Sequence, residues 1–376
     1  MRHDRQSSDS FKGSGALGRS SAGFPAVACG PAVALPRNVL TCEDLEQVAR
    51  VHLGPDFPHL RRVLGIIRNS GVERRYLVQS LPETLRVQSF AARNQLFVRE
   101  VRRLGKDAAS AALAAAGLSP QEIDLIITTS CTGIMIPSLC AHLLPEMGFR
   151  AGTKRLPITE LGCAAGAAAL SRAREFCQAY PGANVLIVAT ELCSLTFQPG
   201  DLSLQALVGA ILFGDGAAAC VVRGKDVPGL RLEANASFLF PDSLGYMGFE
   251  LRDTGLHLML DKGIPSAVEE QIAPVVNGFL EGNGLRARDL DFFCLHPGGR
   301  RILEEMERVF DLKDGDAAAS WECLAEVGNL SSASIFVVLK NLFERHTPKA
   351  EERGFIAAFG PGFSAEMCLG TWSAGG

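Results

Sequence analysis

Three polar side chains share one kind of setting. Cys163 stands in "ITELGCAAGAAALSRA" (158–173), directly after a glycine and at the head of a run of alanines. His296 ends the apolar run "DFFCL" and enters the turn "PGG". Asn329, in "VGNLSSAS" (327–334), follows Gly328 and precedes small residues. A thiol, an imidazole and an amide at such turns suit nucleophilic acyl chemistry. The thiolate attacks, the imidazole manages its proton, and the amide steadies a developing oxyanion. Taken singly, each has a plainer reading. Cys163 can be a small buried hydrophobe, His296 a hydrogen-bonded structural residue, and Asn329 a helix N-cap.

The elements around them must do the positioning. "KRLPITELG" reads as a strand or strand end and "AAGAAALSRAREFCQAY" as a helix. Cys163 then lies at a strand-to-helix turn, where the helix dipole and unpaired N–H groups favour a thiolate and can hold an oxyanion. His296 falls at the C-terminal edge of a strand, where α/β sites form. "DLIITTS" (124–130), "NVLIVATE" (184–191), "GAAACVVRG" (216–224), "DFFCLH" (291–296) and "RGFIAAFG" (353–360) are continuous apolar runs that predict strands buried on both faces. Amphipathic helices such as "REVRRLGKDAASAALAAAG" and "PGGRRILEEMERVF" alternate with them. "SPQE" (119–122) carries a capping signal, with Ser119 as N-cap, Pro120 first and Glu122 reaching back. Alternating strand and helix implies an α/β layered fold. Strands near 125, 187, 294 and 357 each run into a Gly, Ser or Cys turn, compatible with one α/β unit used twice and divided near "RGKDVPGLR" (223–231).

Composition narrows the function. The chain has 376 residues, 47% hydrophobic and 21% charged, enough for a sizeable core. A net charge of −4 gives no reason to expect nucleic acid or an anionic membrane as partner. The longest apolar run, "ALVGAILFG", stops at Asp215, well short of the roughly 18 residues that span a bilayer. Eleven cysteines without paired spacing, C-x-x-C or a Cys/His cluster predict free thiols in a reducing cytoplasm and no metal site. Residues 1–22 read as a flexible polar tail. The tail's "GSGALG" (13–18) follows no strand and opens no helix, so it is set aside as a dinucleotide site.

"ELGCAAGAAAL", "CLHPGGRRIL" and "EVGNLSSASI", in that order, resemble the active-site segments of type III polyketide synthases, the chalcone synthase-like enzymes. "ILFGDGAAA" (211–219) and "AAFGPGFSAE" (357–366) resemble two further blocks, and the likeness runs from about residue 33 to the C-terminus. The resemblance implies a thiolase-like α/β fold of two related halves, 23–225 and 226–376, in a layered αβαβα core, and a homodimer. It implies a Cys163–His296–Asn329 triad acting on acyl-CoA and malonyl-CoA, with no cofactor beyond these thioesters. Loading on Cys163, decarboxylative extension by malonyl units and cyclisation would follow.

The same resemblance assigns a cavity. Phe213 matches a gatekeeping phenylalanine, while the plant enzymes' second gatekeeper falls on Leu258. Cys131 and Thr132 in "TSCTGIMIPS", and Cys193 and Thr196 in "ELCSLTF", match wall positions, and Gly298 and Gly299 would let substrate approach. Arg62 falls on a CoA-contacting lysine; Gly65 and Asn69 replace the other two basic positions, and Arg68 is a weaker substitute. An apolar, narrow lining suits a fatty acyl starter, so alkylpyrones or alkylresorcinols are the expected products. Tetrahydroxynaphthalene or phloroglucinol from malonyl-CoA alone is the alternative. Outside the family, a single-round ketoacyl synthase III-type enzyme or a Cys-His-Asn thioesterase or acyltransferase competes.

Overall fold

The computed structural model describes residues 23–261, 263–264 and 271–375. The expected tail, including "GSGALG", lies outside these residues.

Thirteen strands are present among the described residues: β1 (Val27–Ala34), β2 (Asn38–Thr41), β3 (Arg74–Leu77), β4 (Leu125–Thr129), β5 (Lys154–Ile158), β6 (Asn184–Leu192), β7 (Asp215–Arg223), β8 (Pro228–Leu239), β9 (Met247–Arg252), β10 (Gly255–Leu260), β11 (Phe292–Leu295), β12 (Arg353–Gly360) and β13 (Ser364–Ala374). Nine form one mixed sheet in the order β11-β12-β13-β8-β1-β7-β6-β4-β5. From its middle, the sheet reads alike in both directions. β1 pairs antiparallel with β7, β7 antiparallel with β6, and β6 parallel with β4. In the other arm β8 pairs antiparallel with β13, β13 antiparallel with β12, and β12 parallel with β11. β9 with β10, and β2 with β3, make two small separate sheets.

The apolar runs are strands because both faces of the sheet are covered. Along β6, Val185, Ile187 and Ala189 enter one core, while Leu186, Val188 and Leu192 enter another. Along β12, Ile356 and Ala358 share the first core, and Phe355, Ala357 and Phe359 enter a third. The shared core holds the helices Ala165–Ala179 and Ser334–Glu344, which lie between the two arms. The helix Phe90–Ala115 covers the first arm from outside with Phe97, Val101 and Leu104. The helices Ala273–Gly282 and Arg300–Phe310 cover the second with Phe279 and Leu303. Helix, sheet arm, helices, sheet arm, helix is the order of layers, the two arms belonging to one sheet, a thiolase-like α/β arrangement.

The central helices approach closely because the first carries no bulk. A Cβ on Gly166 would lie 2.3 Å from the Ser332 carbonyl oxygen and 2.6 Å from Ile335 Cγ2. At "SPQE", Ser119 donates to Glu122 from its backbone N and its Oγ, both at 2.9 Å, but the element is one 3₁₀ turn, Pro120–Glu122. The helix expected from residue 99 starts at Phe90, where Ser89 caps it by accepting from the Ala92 N–H. No helix among the described residues is long and apolar enough to cross a membrane.

Candidate active site

Cys163 sits in the 3₁₀ turn Gly162–Ala164, which runs straight into the central helix Ala165–Ala179. The turn needs a glycine. Gly162 has φ +49, and a Cβ there would meet Pro361 Cδ at 2.5 Å. The thiol is buried but borders an internal cavity. Its Sγ donates to Ser331 Oγ at 3.5 Å. Burial pushes the thiol up to about 12, opposed by its side-chain hydrogen bonding with Ser331 and Asn329.

Asn329 ties the site together. It follows Gly328, whose φ of +71 ends the helix Ala318–Val327. Its backbone bridges Phe213 in parallel: Asn329 N–H donates to Leu212 O at 2.9 Å, and Gly214 N–H to Asn329 O at 3.0 Å. Asn329 Oδ1 accepts from the Ser331 N–H at 2.7 Å, and Nδ2 donates to Gly298 O at 3.4 Å. Gly298 in turn donates its N–H to His296 O at 2.9 Å. Through these bonds Asn329 reaches both the thiol and the turn that carries His296.

His296 follows β11, its N–H held by Ala357 O at 2.9 Å. The ring is buried, and neither Nδ1 nor Nε2 has a partner. Burial alone pushes its pKa down to about 4. Buried polar atoms are usually paired, so an imidazole with neither nitrogen bonded to protein is an unusual residue and a candidate for function. Burial disfavours a lone thiolate and a lone imidazolium alike.

The cavity extends from Cys163 and Ser331 to the apolar cluster beneath the helices Cys42–Leu53 and Leu60–Asn69, where Ala49, Val63 and Ile67 line it; His296 and Asn329 are buried behind Cys163 and Ser331 and do not border it. Cys131, Thr132, Cys193 and Thr196 line the thiol end, and Phe213 and Leu258 also border the cavity. Leu258, on β10, packs where Gly209 leaves room: a Cβ there would lie 2.5 Å from Leu258 Cδ2. Gly298 and Gly299 stand elsewhere. They form the His296 turn and the N-terminus of the helix Arg300–Phe310 and do not border the cavity. Arg62 is exposed on the helix Leu60–Asn69. Arg68 is occupied, with Nε and Nη2 each 2.7 Å from Glu46.

Three further side chains matter that the motifs do not single out, although Glu191 stands in "ELCSLTF" and Ser331 in "VGNLSSAS". Glu191, fully buried at the end of β6, accepts from Ser332 Oγ at 2.5 Å, Thr132 Oγ1 at 2.9 Å and the Cys131 N–H at 3.0 Å. Burial raises its pKa, and its charge opposes ionisation of Cys163, Cys131 and Cys193. An acid ending an otherwise apolar strand is its signal in the sequence. Ser331 touches two sulfurs, 3.5 Å from Cys163 and 3.6 Å from Cys131. Arg75, on β3, is buried at the cavity wall.

Comparison with known proteins agrees with this arrangement. The family model for the N-terminal domain of chalcone and stilbene synthases matches residues 20–226, and that for the C-terminal domain matches residues 231–370. A 1,3,6,8-tetrahydroxynaphthalene synthase of Streptomyces griseus is 43% identical over 93% of this chain and 93% of its own. A phloroglucinol synthase of Pseudomonas fluorescens is 37% identical over 92% of this chain and 99% of its own. The crystal structure of the bacterial type III polyketide synthase 1,3,6,8-tetrahydroxynaphthalene synthase from Streptomyces coelicolor superposes with a TM-score of 0.89 at 42% identity, covering 92% of this chain and 99% of that one. The chain therefore belongs to the chalcone and stilbene synthase family and is a type III polyketide synthase.

Proposed function

We propose that this synthase builds an aromatic polyketide from malonyl-CoA alone, a tetrahydroxynaphthalene or phloroglucinol type of product, with Cys163 as acyl carrier. The observation that carries this reading is the extended likeness to synthases named for such products, over nine-tenths of the chain.

Cys163 attacks the thioester carbonyl of a CoA starter as its proton passes to His296. Collapse expels CoA, which takes a proton, and leaves the acyl group on sulfur. The next malonyl-CoA loses CO2, and its enolate oxygen accepts hydrogen bonds from His296 and the Asn329 amide. Each such donor is worth about 10²–10³ in rate. The carbanion attacks the acyl carbonyl, adds two carbons and frees the sulfur. The grown chain returns to Cys163 until it cyclises, and CoA thioesters are the only cofactor-like groups required. The divide between halves falls between β7 and β8, where the two sheet arms separate. The protomer pairs with a second copy. Ile136, 92% exposed beside the half-exposed Ile134 on the loop after Thr132, supports such a contact.

One feature favours a second reading, an alkylpyrone or alkylresorcinol synthase. The cavity arm lined by Ala49, Val63, Leu207 and Ile211 can take a fatty acyl chain.

A mass-spectrometric product profile with malonyl-CoA, with and without acyl-CoA starters of rising length, tests both. An aromatic product from malonyl-CoA alone is expected. Pyrones or resorcinols whose mass tracks the starter, with none from malonyl-CoA alone, would establish the second reading. Light scattering checks the dimer.

A further inference from the structure

Arg75 is a buried cation facing the cavity. It is 4% exposed and borders the cavity that also reaches Cys163. Its Nη1 is fully buried and has no hydrogen-bond partner. The nearby carboxylate, Asp215, is engaged elsewhere: it accepts from the Val78 N–H at 2.8 Å, the Ser194 N–H at 2.7 Å and Ser194 Oγ at 2.5 Å. Asp215 attracts the guanidinium only through space. Arg75 is also held in place. A Cβ on Gly214 would lie 3.1 Å from Arg75 Cβ, so the backbone beside Phe213 and Gly214 abuts its stem. A buried guanidinium with an unmet donor costs free energy unless something anionic completes it. Guanidinium groups suit carboxylates because the planar fork matches the two oxygens.

We infer that Arg75 is the receptor for the free terminal carboxylate of a malonyl-primed chain held on Cys163. This rests on the reading that malonyl-CoA serves as starter. A chain begun from malonyl keeps a carboxylate at its far end; one begun from a fatty acyl group ends in a methyl. Without a cation that carboxylate would sit in a largely apolar cavity, at a desolvation cost few starters could bear. Arg75 therefore selects the starter, whereas the extender's carboxylate is lost beside His296 and Asn329.

The test separates starter from extender. Wild type, Arg75→Met and Arg75→Lys are given malonyl-CoA with and without hexanoyl-CoA, and the ratio of malonyl-primed to hexanoyl-primed product is measured. Arg75→Met is expected to lower that ratio at least about tenfold, and Arg75→Lys to stay within about threefold of wild type. An unchanged ratio, with both products falling together, would overturn the inference and leave Arg75 a structural counter-charge for Asp215.

A second measurement needs no variant. Wild-type Cys163 is loaded with glutaryl-CoA or valeryl-CoA, without malonyl-CoA, and followed by intact mass. Both acyl groups have five carbons, and only the first ends in a carboxylate. Glutaryl loading about tenfold faster is expected; equal or slower loading overturns the proposal. If wild type makes no product from malonyl-CoA alone, the starter reading fails, and the loading comparison still judges Arg75.

Discussion

The turn holding Cys163 and the turn holding Ser331 are built alike and used differently. Each is a three-residue 3₁₀ turn, Gly162–Ala164 and Ser331–Ala333, opening one of the two central helices. Each begins with a residue at φ +49. In the first turn that residue is glycine, and Pro361 leaves no space for a side chain. In the second it is serine, a strained choice whose hydroxyl reaches both Cys163 and Cys131. One frame, repeated across the two sheet arms, supplies a buried thiol on one side and its hydrogen-bonding partner on the other. Left-handed backbone is tolerated by glycine for space and by serine for a contact.

The strongest break is Cys163→Ala. Polyketide formation should fall by at least about 10³, and no acyl adduct should appear by intact mass; an adduct retained within the cavity would remove Cys163 as carrier. Next is His296→Gln, expected to cost about 10²–10³ in kcat/KM. Iodoacetamide alkylation of Cys163 near neutral pH should slow in this variant, since a buried thiol without an imidazolium partner titrates only near 12. A matching rate in both proteins would show that His296 does not ionise the thiol. The same variant carries a stability signature. His296 titrates near 4 when folded, below its ordinary 6.5, so the unfolded chain binds the extra proton in that window. Its stabilising share is complete above 6.5 and is lost as pH falls toward 4. Urea titrations of wild type should show that loss, and His296→Gln should lack it.

Smaller effects sharpen the difference between the turns. Gly162→Ala must move Pro361 and should cost about 2–4 kcal/mol in denaturant unfolding. Ser331→Gly relieves backbone strain, so its stability should stay within about 1 kcal/mol of wild type. Ser331→Ala keeps the strain and loses the hydroxyl. If both Ser331 variants match wild type in turnover, the contact with the sulfurs is idle.

Much of the scaffold is legible in the sequence because its strands are buried on both faces. "NVLIVATE" and "RGFIAAFG" become β6 and β12 with bounds within a residue of the runs. The start of the helix at Phe90 was harder, since its signal is only the Ser89 cap ahead of a mixed first turn. At the site, motifs identify residues whose setting is local. Cys163 and Asn329 each announce themselves by a neighbouring glycine. Arg75 and Glu191 acquire meaning only from partners far along the chain, Asp215 for the first and Ser332 for the second. Gly298 and Gly299 illustrate the opposite limit. A flexible turn suggests open approach, yet here it serves to aim His296 and to tie it to Asn329.

The place of β1 at the middle of the large sheet has a consequence for how the protein is made. Among the described strands it is the earliest in the chain and the one that joins the two arms, pairing with β7 on one side and β8 on the other. Both neighbours lie within residues 215–239. β1 therefore waits for both sheet partners through synthesis of the entire cysteine-bearing arm, and such distant pairing is slow to form. Neither arm has its inner edge covered until the other has begun to appear, so the halves are poor candidates for independent expression.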